Sequence, residues 1–131
     1  MKTRATFAAI FLLFIAGMGA DDVFGDKLAT PAKVQVVNSL PDRDSLFSGP
    51  YIKVFGISSK KDEVISENIE REKSVTVTSG YSRLFCVTDK CLYVLPLQAG
   101  QEYIARVEAD KVTLINMSGG AMQTIQQKNY W

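Results

Sequence analysis

Hydrophobic and polar residues alternate in short runs through most of this chain. Ser74 to Thr78 (SVTVT) alternates valine with polar residues strictly, the pattern of a half-exposed antiparallel strand. Lys33 to Asn38 (KVQVVN) alternates in part. Tyr51 to Ile57 (YIKVFGI) follows the turn signal Gly49-Pro50 and puts Ile52 and Val54 on one face, with Tyr51, Lys53 and Phe55 on the other. Tyr81 to Val87, Cys91 to Leu97, Glu102 to Ala109 and Val112 to Met117 continue the series. Ser79-Gly80 is expected to turn one strand into the next, and Asp110-Lys111 to close a two-residue hairpin. Val64 to Ile69 fits either a strand or a single helical turn. No long stretch carries helical periodicity. About six to eight short strands separated by turn signals predict an all-β domain, a small antiparallel Greek-key sandwich or a small barrel.

The first twenty residues break the pattern. Lys2 and Arg4 precede the apolar run Ala5 to Ala16, and Gly17, Gly19 and Ala20 supply small residues for a cleavage site. This reads as a signal peptide over residues 1–20, because the apolar run is shorter than the roughly 20 residues a membrane-spanning helix needs. Residues 21–31 read as a flexible acidic leader or edge strand, 32–117 as the sandwich, and 118–131 as a C-terminal tail or last strand. The expectation is an exported protein, periplasmic or secreted, with no transmembrane span in the mature chain.

Charge and composition then remove whole classes of function. The 131-residue chain has a formal charge of +1, which becomes −1 once Lys2 and Arg4 are removed with the leader. A nearly neutral domain does not suit nucleic acid, whose binding depends on many Lys and Arg contacts to phosphate. The chain contains no histidine. Histidine triads, histidine-containing zinc sites and imidazole acid–base catalysis are therefore excluded. No cofactor and no metal is expected.

Cys86 and Cys91 are the only two cysteines. They flank Val87-Thr88-Asp89-Lys90, which reads as a tight loop between two strands. Export would place them where disulfides persist. Zinc needs four ligands, and a redox pair normally has two intervening residues at a helix N-terminus, so the expectation is a structural disulfide stapling a hairpin.

The segment Leu97-Gln-Ala-Gly100-Gln-Glu-Tyr103-Ile-Ala-Arg-Val107 resembles the E–F corner of fibronectin type III and related immunoglobulin-like domains. The resemblance spans about eleven residues and departs from the family at Ala99, where proline is usual, and in having no tryptophan in the early strands. It implies that Leu97 plugs the base of the sandwich, Gly100 permits a sharp turn, and Tyr103 packs inward with its hydroxyl bonded to the turn backbone. Transthyretin-like sandwiches use similar segments. Neither fold by itself names an activity.

Several further residues carry chemistry worth weighing. Ser58 and Lys61 have the Ser-x-x-Lys spacing of some acyl-enzymes, but in a polar loop. Asp42 and Asp44, with Ser45 and Ser48, offer oxygens to calcium, which Arg43 opposes. Glu63, Glu67, Glu70 and Glu72 lie among Lys60, Lys61, Arg71 and Lys73, the composition of a solvated surface. Asn116-Met117-Ser118 is a formal glycosylation sequon. The tail after Gly119-Gly120 carries Met122, Ile125, Tyr130 and Trp131, either as a free arm with aromatic anchors or packed back as a last strand.

These readings converge on a non-catalytic exported binding or assembly module that contacts another extracytoplasmic protein or a surface glycan. Strand Ser74 to Thr78 is a candidate pairing edge, and the hairpin loop Val87, Thr88, Asp89 and Lys90, with Tyr130 and Trp131, is a candidate contact surface. The alternatives are a small hydrolase inhibitor presenting the stapled loop, and an enzyme working without histidine.

Overall fold

A computed structural model describes residues 23–41, 52–88 and 91–127. Among them are nine strands: β1 (Lys27–Asn38), β2 (Ile52–Ile57), β3 (Val64–Ile69), β4 (Ser74–Tyr81), β5 (Arg83–Val87), β6 (Leu92–Pro96), β7 (Glu102–Val107), β8 (Val112–Asn116) and β9 (Met122–Ile125). They form two sheets, one ordered β4-β1-β7-β8-β9 and the other β3-β2-β5-β6. All neighbouring pairs are antiparallel except β1 with β7, where Val34 aligns with Tyr103 and Val36 with Ala105. The all-β sandwich expected from the alternation is present. The expected signal peptide, the Asp42–Asp44 loop, Asp89, Lys90, Tyr130 and Trp131 lie outside the described residues.

Alternation places the core. Val34 and Val36 from β1, Ile52 and Val54 from β2, Leu84 and Cys86 from β5, Tyr93 and Leu95 from β6, and Ala105 and Val107 from β7 are all fully buried between the sheets. Their odd-numbered or even-numbered neighbours face outward, as the two-residue side-chain period requires. The threonines at 76 and 78 are exposed while Val77 is buried.

Two segments differ from the sequence reading. The leader is not loose as far as residue 31: β1 begins at Lys27, and a register irregularity between Lys27 and Ala32 absorbs the non-alternating Leu28-Ala29-Thr30-Pro31. Ahead of it, Phe24 has no exposed surface and meets Phe85 edge-on at 5.3 Å between ring centroids. It joins Ile57 and Tyr81 in a small second cluster outside the main core. The Asp26 and Ser82 backbones hold this strap, with the Asp26 N–H donating to Ser82 Oγ at 2.9 Å and the Ser82 N–H donating to the Asp26 carbonyl at 2.9 Å.

The second difference is at Ser79-Gly80, which continues β4 instead of turning it. A side chain at Gly80 would come within 2.8 Å of Ser59 Cα, so this glycine serves the close passage of the Ser58–Ser59 backbone rather than a turn. The passage is marked by an isolated bridge between Ser58 and Ser79 that ties β4 to the opposite sheet.

Truncating the strap tests its contribution. Phe24→Ala should lower unfolding free energy by about 3–5 kcal/mol, the usual cost of removing a buried phenylalanine. Urea denaturation would measure it, and wild-type stability in the variant would show that residues 23–26 do not help hold the fold.

Candidate functional site

The connection from β6 to β7 carries the chain from one sheet to the other. Leu97 is buried at the base of the sandwich, Gly100 takes a φ of 73°, and Tyr103 points inward from β7. The Gln98 N–H donates to the Tyr103 hydroxyl at 2.9 Å, so the tyrosine closes the corner it grows from. Gly100 N–H also reaches the Thr30 carbonyl at 3.0 Å, fastening the corner to β1.

This corner forms one wall of a cleft of about 530 Å³ between the outer strands β6 and β9. Pro96 and Leu97 line it from one sheet, and Leu114, Ala121, Met122 and Gln123 from the other. Met122 is 67% exposed and Met117, in the adjoining turn, 56%. Across the outer face, Ile104 stands opposite Ile115, and Ile115 opposite Met122, giving an apolar row that ends at the mouth of the cleft.

Among the described residues, the backbone of β9 is paired on one side only. The Asn116 N–H donates to the Ala121 carbonyl at 2.7 Å, and Glu102 and Met117 bond on the other side of β8, with the Met117 N–H donating to the Glu102 carbonyl at 2.7 Å. Even-numbered residues of β8 therefore bond to β9 and odd-numbered ones to β7. With Leu114 opposite Gln123 and Val112 opposite Ile125, the N–H and C=O groups of Gln123 and Ile125 turn toward β8, and those of Met122 and Thr124 turn toward the open edge. Gly119-Gly120 is thus a hairpin turn, not a hinge to a free arm: Gly120 takes a φ of 75°, and its N–H donates to the Asn116 carbonyl at 2.7 Å. Of the two readings of residues 118–131, free tail or last strand, the last strand is the one present, confined to Met122–Ile125.

The cysteines are not a staple, and the expected disulfide is corrected here. Both thiols are free and buried. In the β5–β6 hairpin Cys86 faces Tyr93 and Val87 faces Leu92. The Thr88 N–H donates to the Cys91 carbonyl at 2.9 Å, and the Cys91 N–H to Thr88 Oγ1 at 3.0 Å. Thr88 and Cys91 therefore close the turn as a pair, leaving only residues 89–90 to connect them. The cysteines sit on a diagonal of about 7–8 Å between Cα atoms. A disulfide spans about 4.4–6.8 Å. The sequence reading treated all four intervening residues as loop and so placed the cysteines opposite each other.

The two thiols have different surroundings. Burial pushes the Cys86 thiol up to about 12. Cys91 donates to Gln127 Oε1 at 2.6 Å, at the end of β9. Among the described residues the fully buried Tyr93 hydroxyl makes no well-formed hydrogen bond, although the Cys91 thiol lies close to it. Burial, then the neighbouring Cys91, then Asp110 and Cys86, hold it well above the usual phenol range.

The remaining candidates are dispersed. Ser58 Oγ accepts from the Lys60 N–H at 2.9 Å and so belongs to a local turn. Glu63, Glu70 and Glu72 are exposed, and Glu72 pairs with Arg71 at 3.0 Å. Asn116 Oδ1 accepts from the Ser118 N–H at 2.9 Å and the Gly119 N–H at 3.1 Å, so the sequon asparagine organises the β8–β9 turn. Val87 and Thr88 are half-buried hairpin residues. Among the described residues, no three metal-ligating side chains converge, and no helix is long and apolar enough to cross a membrane. No family model matches the chain, and no curated protein or solved structure matches it.

Tyr93 and Cys86 generate a pH prediction. Both ionise more readily unfolded than folded, so their contribution to stability is complete below about pH 9, the reference value for the thiol, and is lost as pH rises toward 12. Melting temperature should fall across that window, and the double variant Cys86→Ala, Tyr93→Phe should flatten the fall. Tyr93→Phe alone should raise stability at neutral pH by about 1–2 kcal/mol, since it removes an unsatisfied buried hydroxyl. A loss of stability at neutral pH would mean that the hydroxyl has a partner.

Proposed function

We propose that this chain is an exported, non-catalytic binding or assembly module whose contact surface is the open edge of β9 and the cleft beside it. The single observation that carries the reading is the outward-facing backbone of Met122 and Thr124, beside a cleft lined by Pro96, Leu97, Leu114 and Met122 together with Gln98, Asn116 and Gln123. An extended segment of another extracytoplasmic protein would add as a further strand, with backbone bonds supplying affinity and the cleft taking alternate side chains. A surface glycan would lack the strand backbone that this edge is built to pair. The absence of histidine from the sequence supports binding over catalysis. The apolar run before residue 20 supports export.

A Greek-key sandwich of transthyretin-like rather than immunoglobulin-like kind belongs to the same proposal. In the immunoglobulin constant pattern the first two strands share a sheet. Here β1 lies between β4 and β7 while β2 sits in the other sheet, which supports the transthyretin-like alternative. The hydrolase-inhibitor reading loses its physical basis, because free thiols do not pre-organise the 87–90 loop.

A photo-crosslinking side chain at position 122, expressed in the exporting host, tests the reading. Adducts are expected at 122 and should disappear when Thr124→Pro removes an edge N–H that β8 does not use. Adducts at position 76 instead would move the contact to β4, and none at either position would sink the proposal.

A further inference from the structure

We infer that the strand received by β9 is β9 of a second copy of this chain, giving a two-fold dimer with one continuous sheet. The inference rests on the proposed edge-binding function and names the partner at that same edge.

Sheet edges invite pairing with other chains, and proteins guard them with charges, prolines, bulges or covering segments. Three of the four edges among the described strands carry such guards. Strand β3 turns Glu67 toward the core side, opposite Val54. Strand β6 ends in the exposed Pro96. Strand β4 is bridged to the other sheet at Ser79 and preceded by the exposed Lys73. Among the described residues, strand β9 has none of these. From Val112 to Gln127 the sequence contains no charged residue and no proline.

That neutrality favours a second copy over an unrelated partner. A two-fold axis brings each residue near its own duplicate, so any charge close to the axis would meet a like charge. A hairpin with no charge meets that requirement. The formal charge, +1 for the full chain and −1 without Lys2 and Arg4, also leaves little long-range repulsion between copies.

Geometry selects the register. Opposed residues in a sheet must share a face, and only Met122 and Thr124 direct their backbone bonds outward within β9. Antiparallel pairing of Met122 with Thr124 of the second copy satisfies both conditions twice and puts Gln123 on the two-fold axis. The same register sets Ile125 of the second copy opposite Ala121, a residue lining the cleft. Each copy thus covers the other's apolar opening while extending its sheet from five strands to ten, counting both.

Sedimentation velocity of the purified exported protein over a concentration series is the test. Wild type should show a reversible monomer–dimer equilibrium. Thr124→Pro should weaken it by more than about tenfold, the effect of losing one or two net hydrogen bonds. Gln123→Lys and Gln123→Glu should each be monomeric alone, with unchanged melting curves, and should form a heterodimer when mixed, because opposite charges then face each other on the axis. A wild type that stays monomeric to about millimolar concentration, the weak end of measurable affinity, would overturn the inference. A dimer that ignores both Gln123 substitutions would overturn it as well. Crosslinks at position 122 to a different protein, with a monomeric wild type, would leave the edge-binding function standing and remove only the second copy as its partner.

Discussion

The fold depends on β1 pairing on both sides at once. Along one stretch of chain, Val34 meets Val77 of β4 and Tyr103 of β7, and Val36 meets Val75 and Ala105. Strands β4 and β7 have no other route into a common sheet. Because the β1–β7 pair is parallel, a crossover must join them, and here it runs through the four strands of the second sheet and β4 of the first before β7 arrives. The corner at Leu97–Tyr103 is where it returns. Its hydrogen bond from Gln98 to Tyr103 and its contact from Gly100 to Thr30 fix the angle and depth at which β7 enters beside β1. Parallel pairing of distant segments is slow to form, and a side chain that locks the return crossing limits the arrangements the chain must search.

The same topology decides where the sandwich is open. On one side the two sheets are joined, by the Ser58–Ser79 bridge and the close passage at Gly80. On the other side β6 and β9 diverge around the cleft, and no backbone bridge closes it among the described residues. An added hairpin, β8–β9, extends the first sheet beyond the end of the second. The extension exposes backbone groups and leaves Met122 and Met117 in solvent, an arrangement that folding alone does not reward. Exposed apolar residues beside an unpaired strand form a surface that gains from contact.

Much of this architecture is visible in the sequence where one face of a strand is buried and the other wet. The strands at Ser74–Thr78 and Glu102–Val107 fall into that class, marked by strict alternation in the first and by alternation broken only at Ile104 in the second. The corner is visible for a different reason: Leu97, Gly100 and Tyr103 each answer a separate geometric demand within seven positions. Strand β1 before Ala32 leaves no such mark, since its residues there are mostly exposed and its register breaks. Phe24 belongs to a satellite cluster on the outer side of the second sheet, which no period in the sequence announces. The open edge was harder still. Met122-Gln123-Thr124-Ile125 alternates too little to separate a last strand from a free tail; the Asn116 turn that folds it back on β8 decides for the strand.

The cysteines show how much rests on register. Sequence fixes their separation along the chain, but whether they face each other depends on how many residues the turn consumes. Here Thr88 and Cys91 pair across the turn, and this moves Cys86 two places along the ladder to face Tyr93. Both sulfurs still point to one side of the sheet, because the displacement is even. The result is a buried region in which two free thiols flank a tyrosine hydroxyl. Stability at this end of the sandwich therefore comes from packing and from keeping Cys86 and Tyr93 neutral. Gln127, bonded to the Cys91 thiol, carries that dependence to the far end of β9. The strand whose outer edge is open is held on its inner side by β8 and at its end by a sulfur, which lets it present a fixed backbone to whatever pairs with it.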